Sequence, residues 1–234
     1  MCGIAGIIHR GKSSNVGREM TTMLQALRHR GPDSTGFAVY GGSKPGDILM
    51  RIKVAEREDM DKGRGILKRI KERISGIDEI LHEHGATIKE SENCTPYALR
   101  YVINHDGNTE EMAQHLEEIE GVEILSLGRG LELVKDLGDA TAVSDAYGLD
   151  SFEGTHAIGH ARMATESDVD IRSAHPYWAF PYNDVSVVHN GQITNYWTMR
   201  REMERSGHRF TSDCDSELLA VFTAHNLAHG ISLD

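Results

Sequence analysis

Cys2 is the residue around which the chemistry of this chain could be built. Once Met1 is removed, which the small second side chain permits, one residue carries both a thiol and a free α-amino group. A free α-amino group has a pKa of about 7.7–8.0, so a useful fraction is neutral at cellular pH and can accept a proton. Cys2 could therefore act as a nucleophile with its own base, as N-terminal threonine does in variants of the catalytic triad. The alternative is an ordinary small residue after the start codon.

Other polar residues supply what hydrolysis of the side-chain amide of a free amino acid would require. A planar guanidinium such as that of Arg162 matches a substrate carboxylate in bidentate fashion. An acceptor-only carboxylate, Asp213 or Asp215, suits the substrate ammonium group. The developing oxyanion needs preset donors, which the side-chain amide of Asn190 and the backbone N–H of Gly191 could provide.

Each of these residues also has an ordinary structural explanation. Arg162 could form a surface ion pair of little energetic weight, and Asp215 could cap the helix that follows it. Asn190-Gly191 is a favoured hairpin turn. The occurrence of all these residue types together with an N-terminal thiol favours the chemical interpretation.

Short segments must position these groups, and the motifs stand at predicted strand ends, where loops usually carry function. The predicted strands of this part of the chain are 4–8, 37–40, 157–162 and 185–188. The predicted helices are 17–27, 196–206 with Asn195 as cap and Gly207 as stop, and 216–229 with Leu218, Leu219, Phe222 and His225 inward. A strand that begins at the nucleophile would hold it rigidly.

Residues 41–130 differ in texture and interrupt this pattern. Apolar runs and helical periodicity predict the order β-α-β-β-α-β, which is typical of a ferredoxin-like module. Its elements are strands 48–54, 86–89, 97–103 and 122–127, helix 66–81, and a second helix capped by Asn108 and Glu111 that ends near Gly121. The first of these strands could instead pair with strand 37–40.

Composition narrows the compartment and the partners. The 234 residues are 39% hydrophobic and 26% charged, as in a globular protein of one large domain or one domain with an insertion. A net charge of −11 argues against a nucleic-acid surface and against an anionic membrane surface. We find no membrane span and no signal peptide in the sequence. Three widely spaced cysteines are typical of a protein of the reducing cytoplasm. The 13 histidines form no paired-ligand motif, so we expect no metal site, and no cofactor is expected either.

Five motifs, in this order, resemble the signature of class II glutamine amidotransferases, which are N-terminal-nucleophile hydrolases. They are Cys2-Gly3-Ile4-Ala5-Gly6, Arg30-Gly31-Pro32-Asp33 with Gly36, Gly159-His160-Ala161-Arg162-Met163-Ala164-Thr165, His189-Asn190-Gly191 and Asp213-Cys214-Asp215-Ser216-Glu217. The resemblance implies an α+β fold with a four-layer αββα core and glutamine as the ammonia donor. Residues 131–138 resemble the strand with which that core resumes after the insert.

The resemblance also implies roles by position. Cys2 is the nucleophile and its amine the base, while Asn190 and Gly191 form the oxyanion hole. The residues expected to bind substrate are Arg162 at the carboxylate, Asp215 at the ammonium group, Thr165, and Arg30 in a loop near the nucleophile. Asp215 is favoured over Asp213 because the family's acidic residue precedes a Ser/Thr-Glu pair.

Together these motifs predict the glutaminase component of an amidotransferase. Residues 1–234 would form one amidotransferase type-2 domain, interrupted by the ferredoxin-like insert at 43–128. Ammonia would pass to a separate synthase subunit, as in the glutamate synthase and N-methylglutamate synthase systems that the chain resembles. Family members continue with further strands, so we expect a core that is incomplete at its C-terminal end, either because the chain is a fragment or because a partner completes it.

Two alternatives accompany this prediction. The first is a non-catalytic regulatory or assembly subunit that keeps the amidotransferase fold and binds glutamine or a partner. The second is an N-terminal-nucleophile amidase that acts on another amide. The presence of both Arg162 and Asp215, which suit the two charged groups of an amino acid, disfavours this alternative.

Overall fold

The computed structural model describes residues 2–41, 44–163 and 170–232. The chain divides into two compact units, which we name the split unit (Met1–Gly41 with Leu133–Asp234) and the insert unit (Gly42–Glu132). The insert predicted at 43–128 falls within the insert unit. Both units are mixed α/β structures with antiparallel sheets.

Strands and helices follow one another along the whole described chain. The strands are β1 (Gly3–Ile8), β2 (Ser34–Gly41), β3 (Asp47–Lys53), β4 (Thr87–Thr95), β5 (Ala98–Asn104), β6 (Glu123–Gly128), β7 (Leu131–Leu137), β8 (Gly154–Arg162), β9 (Tyr177–Ala179) and β10 (Tyr182–Val187). The α-helices are α1 (Val16–Ala26), α2 (Arg64–Glu83), α3 (Thr109–Glu117), α4 (Ala140–Tyr147), α5 (Tyr196–Arg205) and α6 (Glu217–Ala228). Every predicted element has a counterpart, whereas α4 and β9 have none in the prediction. Among the described helices, none combines the length and the apolar character needed to cross a bilayer.

The split unit is built on an antiparallel sheet with strand order β1-β8-β2-β7. Helices α1 and α4 pack on one face of this sheet, where Met20 and Leu24 of α1 are fully buried. Gly159 of β8 permits the close approach of α1, because a Cβ at this position would lie 2.6 Å from Leu24 Cδ1. Burial of this face fixes which residues of each strand lie on the opposite face.

On the opposite face, strand register places residues in rows. Ile4 of β1, His160 of β8 and Gly36 of β2 form one row. Extended one residue beyond the start of β1, the same register brings Cys2 level with Arg162, the last residue of β8. The candidate nucleophile and the candidate carboxylate-binding residue therefore stand at adjacent ends of neighbouring strands, and strand alternation puts them on one face of the sheet.

A β-hairpin of β9 and β10 lies over this second face. The hydroxyls of Tyr40 on β2 and Ser186 on β10 are 2.6 Å apart, which joins the hairpin to the sheet. Helix α6 packs on both hairpin strands, and the Tyr182 hydroxyl donates to the Leu227 carbonyl at 2.9 Å. The hydrophobic cluster of α5 and α6 comprises Tyr196, Met203, Leu218 and Val221. The contacts thus run from helices to sheet, from sheet to hairpin, and from hairpin to helix.

Two details of the predicted helices are wrong. Phe222, expected to face inward, is 40% exposed, and α6 instead buries Val221 and Ala224 beside the expected Leu218. Asn195 occupies the N-cap position of α5, but its side chain makes no capping hydrogen bond. The apolar residues of α6 are distributed around the helix rather than along one face, so helical periodicity alone could not identify the buried face.

The insert unit has an antiparallel sheet with strand order β4-β5-β3-β6. Strand β3 pairs with β5 and β6, so the alternative pairing with β2 is wrong. The predicted cap at Asn108 is confirmed, since its side-chain oxygen accepts from the backbone N–H groups of Glu110 and Glu111. The buried residues of α2 and α3 include Ile66, Ile70, Ile77, Leu81, Met112 and Leu116.

Glu132, the last residue of the insert unit, lies in a buried charge cluster. Its carboxylate accepts from Arg51 Nε at 2.7 Å and from Arg100 Nη2 at 2.9 Å. Burial opposes ionisation of Glu132, but attraction to the two arginines outweighs it, so the pKa of this carboxyl is lowered. Loss of Glu132 or of either arginine would leave a buried charge uncompensated. We therefore interpret the cluster as a group that stabilises the insert unit.

Candidate active site

The thiol of Cys2 is half-buried just before the first residue of β1. The backbone N–H of Met163 donates to Cys2 Sγ at 3.4 Å, and the thiol lies 3.6 Å from the carbonyl oxygen of Met163. Met163 directly follows β8, the strand that pairs with β1. Two adjacent strands therefore fix the position of the sulfur.

The carbonyl oxygen of Cys2 receives two side-chain donors. Asn190 Nδ2 lies 3.2 Å from this oxygen and Arg30 Nε lies 3.3 Å from it. Asn190 is exposed and is thus able to meet a ligand as well as the backbone. Arg30, predicted as a substrate-binding residue, contacts the backbone of the candidate nucleophile in this structure, which suits a role in orienting Cys2.

Arg162 is the last residue of β8 and is only 4% exposed. Its backbone carbonyl accepts from the N–H of Asp33 at 3.1 Å, which ties the end of β8 to the loop before β2. The burial of Arg162 is inconsistent with the alternative of a surface ion pair. A buried guanidinium on the same sheet face as Cys2 is placed to receive an anionic ligand group.

Asp215 contacts the turn that carries Asn190. Its Oδ2 accepts from the backbone N–H of Ile193 at 2.7 Å. The alternative that Asp215 caps α6 is wrong, because the N-cap position belongs to Ser216 and no side-chain capping bond is made there. Asp213, by contrast, is exposed and lies 3.4 Å from Arg200 Nη1.

The turn of residues 189–193, which we call the HNG turn, is also tied to Ser216. His189 Nδ1 and Ser216 Oγ are 2.9 Å apart. The imidazole of His189 folds back over Gly191, where a Cβ would lie 2.7 Å from Nε2. Cys2, Asn190, Gly191 and Asp215 are therefore linked through one turn, while the predicted substrate residue Thr165 lies outside the described residues.

Two buried histidines, His160 and His175, lie near Arg162. Neither was predicted from the sequence as a site residue. The rings of His160 and His175 are stacked with centroids 4.2 Å apart, and the backbone of His189 lies close to the His160 ring. Both ring nitrogens of His175 are buried without a hydrogen-bond partner among the described residues. Burial, together with nearby positive charge, lowers the pKa of both imidazoles. The sequence did contain a usable signal for His160, because it precedes Arg162 by two residues in a strand and so shares its face.

Lys135 of β7 supports the segment that leads into His175. Its Nζ donates to the carbonyl oxygens of Arg172 at 3.1 Å and Ala174 at 3.2 Å, and it lies 4.9 Å from the ring centroid of Tyr177. The lysine is buried, so its charge is directed at backbone dipoles and an aromatic face. Lys135 thus contributes to the positive surroundings of His175.

These groups form a site suited to acyl transfer from an amide. A thiol at the start of a strand, a side-chain amide beside it and a buried guanidinium on the same face supply a nucleophile, an oxyanion donor and an anion-binding group. Within the described ranges, no group of three histidine, cysteine, aspartate or glutamate side chains could hold a metal ion.

Comparison with known proteins identifies the family. A family model described as a glutamine amidotransferase domain matches residues 160–232. A protein of Methanothermobacter thermautotrophicus, assigned as a glutamine amidotransferase, is 40% identical over 100% of this chain and 75% of its own length. The glutamine amidotransferase-like protein GlxB of Rhizobium meliloti is 28% identical over 100% of this chain and 72% of its own length. The chain belongs to the glutamine amidotransferase family.

A third relative matches only part of the chain. The glutamine–fructose-6-phosphate aminotransferase of Pyrobaculum aerophilum is 38% identical over 39% of this chain and 15% of its own length. The likeness is therefore confined to a segment, and most of that larger protein has no counterpart in the 234 residues.

Proposed function

We propose that this protein is a class II glutamine amidotransferase that hydrolyses glutamine to glutamate and ammonia. After loss of Met1, the α-amino group of Cys2 takes the thiol proton while Sγ bonds to the side-chain carbonyl carbon of glutamine. The carbon–nitrogen bond then breaks, the amine returns the proton to the leaving ammonia, and water cleaves the thioester to release glutamate. The observation that carries this proposal is Asn190 Nδ2 lying 3.2 Å from the carbonyl oxygen of Cys2, an amide donor beside the nucleophile.

The other site residues take substrate-binding roles in this proposal. Arg162 binds the α-carboxylate of glutamine and Asp215 its α-ammonium group, while the N–H of Gly191 joins Asn190 in the oxyanion hole. The contact between Asp215 and the HNG turn supports this arrangement, because it brings the acidic group to the turn that holds the oxyanion donors. Thr165 remains a proposed substrate residue on the strength of the motif alone.

We also propose the finer features of the fold. The succession of α1 and α4, the four-stranded sheet, the hairpin and α6 supports a four-layer αββα core of the N-terminal-nucleophile type. The strand order β4-β5-β3-β6, with α2 and α3, supports a ferredoxin-like insert. We propose that ammonia passes to a separate synthase subunit, as in the glutamate synthase and N-methylglutamate synthase systems that the motifs resemble. Three free cysteines support a cytoplasmic location.

A glutaminase assay on protein of known mass tests the proposal. The preparation is analysed by intact mass for the absence of Met1, and glutamate release from glutamine is followed with time. We expect release from the wild type and its loss, to near the uncatalysed rate, in Cys2→Ser. Cys94→Ser, which alters another half-buried thiol in the insert unit, is the matched control and should retain activity.

Two results would contradict the proposal. Near-normal turnover by Cys2→Ser would show that Cys2 is not the nucleophile. Glutamine binding without turnover, in wild-type protein whose mass shows that Met1 is gone, would instead support the non-catalytic regulatory alternative.

A further inference from the structure

The HNG turn is clamped to the beginning of α6 at two points. At its C-terminal end, the backbone N–H of Ile193 donates to Asp215 Oδ2 at 2.7 Å. At its N-terminal end, His189 Nδ1 lies 2.9 Å from Ser216 Oγ. Asn190 and Gly191 lie between these two points. Asp215 and Ser216, which precede α6, therefore determine the positions of both proposed oxyanion donors.

Ser216 closes this clamp by contacting two partners at once. Its Oγ donates to Asp215 Oδ1 at 3.2 Å as well as meeting His189. A serine hydroxyl has one proton, so while it donates to Asp215 it accepts from His189 Nδ1–H. Nδ1 of His189 is therefore assigned as the donor in this hydrogen bond, and Nε2 is the nitrogen that lies over Gly191.

The carboxylate of Asp215 retains acceptor capacity for a ligand. A carboxylate has about four lone-pair positions, and the hydrogen bonds from Ile193 and Ser216 use two of them, one on each oxygen. Ser216 itself is only 3% exposed, so its hydrogen bonds lie where water competes little and polar links are strong. A cation that binds Asp215 will therefore affect the position of a carboxylate that is also hydrogen-bonded to Ile193 and Ser216, the groups that hold the HNG turn.

We propose that Ser216 is a positioning residue that couples recognition of the substrate α-ammonium group at Asp215 to the alignment of Asn190 and Gly191. This inference rests on the proposed glutaminase function. When glutamine binds, its ammonium group fixes the Asp215 carboxylate, and Ser216 and His189 transmit that fixation to the start of the HNG turn. Binding energy from the non-reacting end of the substrate is thereby used to place the oxyanion donors, so it raises kcat in addition to lowering KM.

The test compares two substrates that differ only in the α-amino group. Glutamine and glutaramate, the same amide acid without the α-amino group, are assayed for ammonia release by wild type, Ser216→Ala and Ser216→Thr. We expect Ser216→Ala to lower kcat on glutamine about tenfold with little change in KM, and to change kcat on glutaramate by less than about twofold. Ser216→Thr keeps the hydroxyl and should restore kcat on glutamine to within about threefold of wild type.

Ser212→Ala is the matched control. Ser212 is buried in the same segment, and its Oγ donates to Glu217 Oε2 at 2.6 Å without contacting Asp215 or His189. If Ser216→Ala fails to fold, Ser216→Cys keeps the volume of the side chain with a weak donor and carries the same expectation. A local structural role would lower activity on both substrates, and would do so in Ser212→Ala as well.

The outcomes separate this inference from the function on which it rests. Absence of glutamine turnover in the wild type would refute the proposed function. Turnover in the wild type, with Ser216→Ala affecting glutamine and glutaramate equally or neither of them, would refute the coupling and leave the proposed function intact.

Discussion

Acidification should destabilise the protein through His160, whose imidazole is buried on the sheet face that carries Cys2. Burial, reinforced by the nearby charge of Arg162, lowers the pKa of His160 to about 4 from its ordinary 6.5. The pKa of the stacked His175 is lowered well below its ordinary value by burial, with further contributions from His160, Lys135 and Arg162. In the folded protein both imidazoles are therefore neutral at pH 7, whereas in the unfolded chain they protonate near pH 6.5.

The sign of the effect follows from the lowered pKa. Between pH 6.5 and pH 4 the unfolded chain binds more protons than the folded protein, so stability is present above pH 6.5 and is lost as pH falls through this window. At about 1.36 kcal/mol for each pKa unit, the difference between 6.5 and about 4 corresponds to about 3 kcal/mol for His160. By pH 5 about 2 kcal/mol of this is lost, a large part of the ~5–15 kcal/mol that stabilises a typical domain.

The measurement is urea unfolding at pH 7.5 and at pH 5, followed by tryptophan fluorescence. Both tryptophans, Trp178 and Trp197, belong to the split unit, so the signal reports the unit that contains His160. His160→Phe keeps an aromatic ring and removes two buried ring nitrogens, so we expect little loss of stability at pH 7.5. The exposed His29 provides the control variant His29→Gln.

The expected result is a smaller acid effect in His160→Phe, by about 2 kcal/mol, than in wild type or in His29→Gln. His175 remains in the variant and contributes to the residual loss. Equal losses of unfolding free energy in all three proteins between pH 7.5 and pH 5 would show that His160 is not a neutral buried histidine.

Two further predictions concern the oxyanion donor and the packing of the same sheet face. Asn190→Ala should lower kcat on glutamine by about 10²–10³ with little change in KM, and steady-state kinetics showing a change in KM alone would make Asn190 a ground-state binder. Gly36→Ala should destabilise the fold by roughly 1–3 kcal/mol or more, because a Cβ at Gly36 would overlap the carbonyl oxygen of His175. Gly6→Ala is its matched control in thermal unfolding, since a Cβ there would meet Ile158 Cγ2 at an ordinary 3.6 Å, and equal stability losses would contradict the steric argument.

Much of the fold could be predicted because hydrophobic patterns in this chain are regular. The apolar run after Cys2 and the periodicity of residues 66–81 led to β1 and α2 with end errors of a few residues. Strand β2 was harder, since it begins at Ser34, inside a stretch whose glycine and proline indicate a turn. The start of β2 depends on pairing with β8, a tertiary contact that local sequence does not encode.

The candidate site could be predicted in its residue types but not in its connections. The motif resemblance preferred Asp215 to Asp213; in the structure Asp215 contacts the HNG turn, whereas Asp213 lies beside Arg200. The resemblance placed the loop of Arg30 near Cys2, but the hydrogen bond from Arg30 to the backbone of Cys2 is a tertiary contact that the sequence does not specify. The stack of His160 on His175 likewise depends on how the segment after β8 returns over the sheet.

Strand register, rather than loop conformation, sets the position of Cys2, the proposed nucleophile, relative to Arg162. Cys2 comes level with Arg162 because β1 and β8 pair in a register that places Ala161 opposite Gly3. A slip of one residue would turn Arg162 toward α1. It would also put a larger residue in the place of Gly159, where α1 lies too close to the strand for a side chain. The close contact of Gly159 with Leu24 on one face and the stacked histidines on the other therefore hold the same register from both sides. Because register errors are penalised on both faces, the sheet can present a buried guanidinium beside a thiol without relying on a mobile loop.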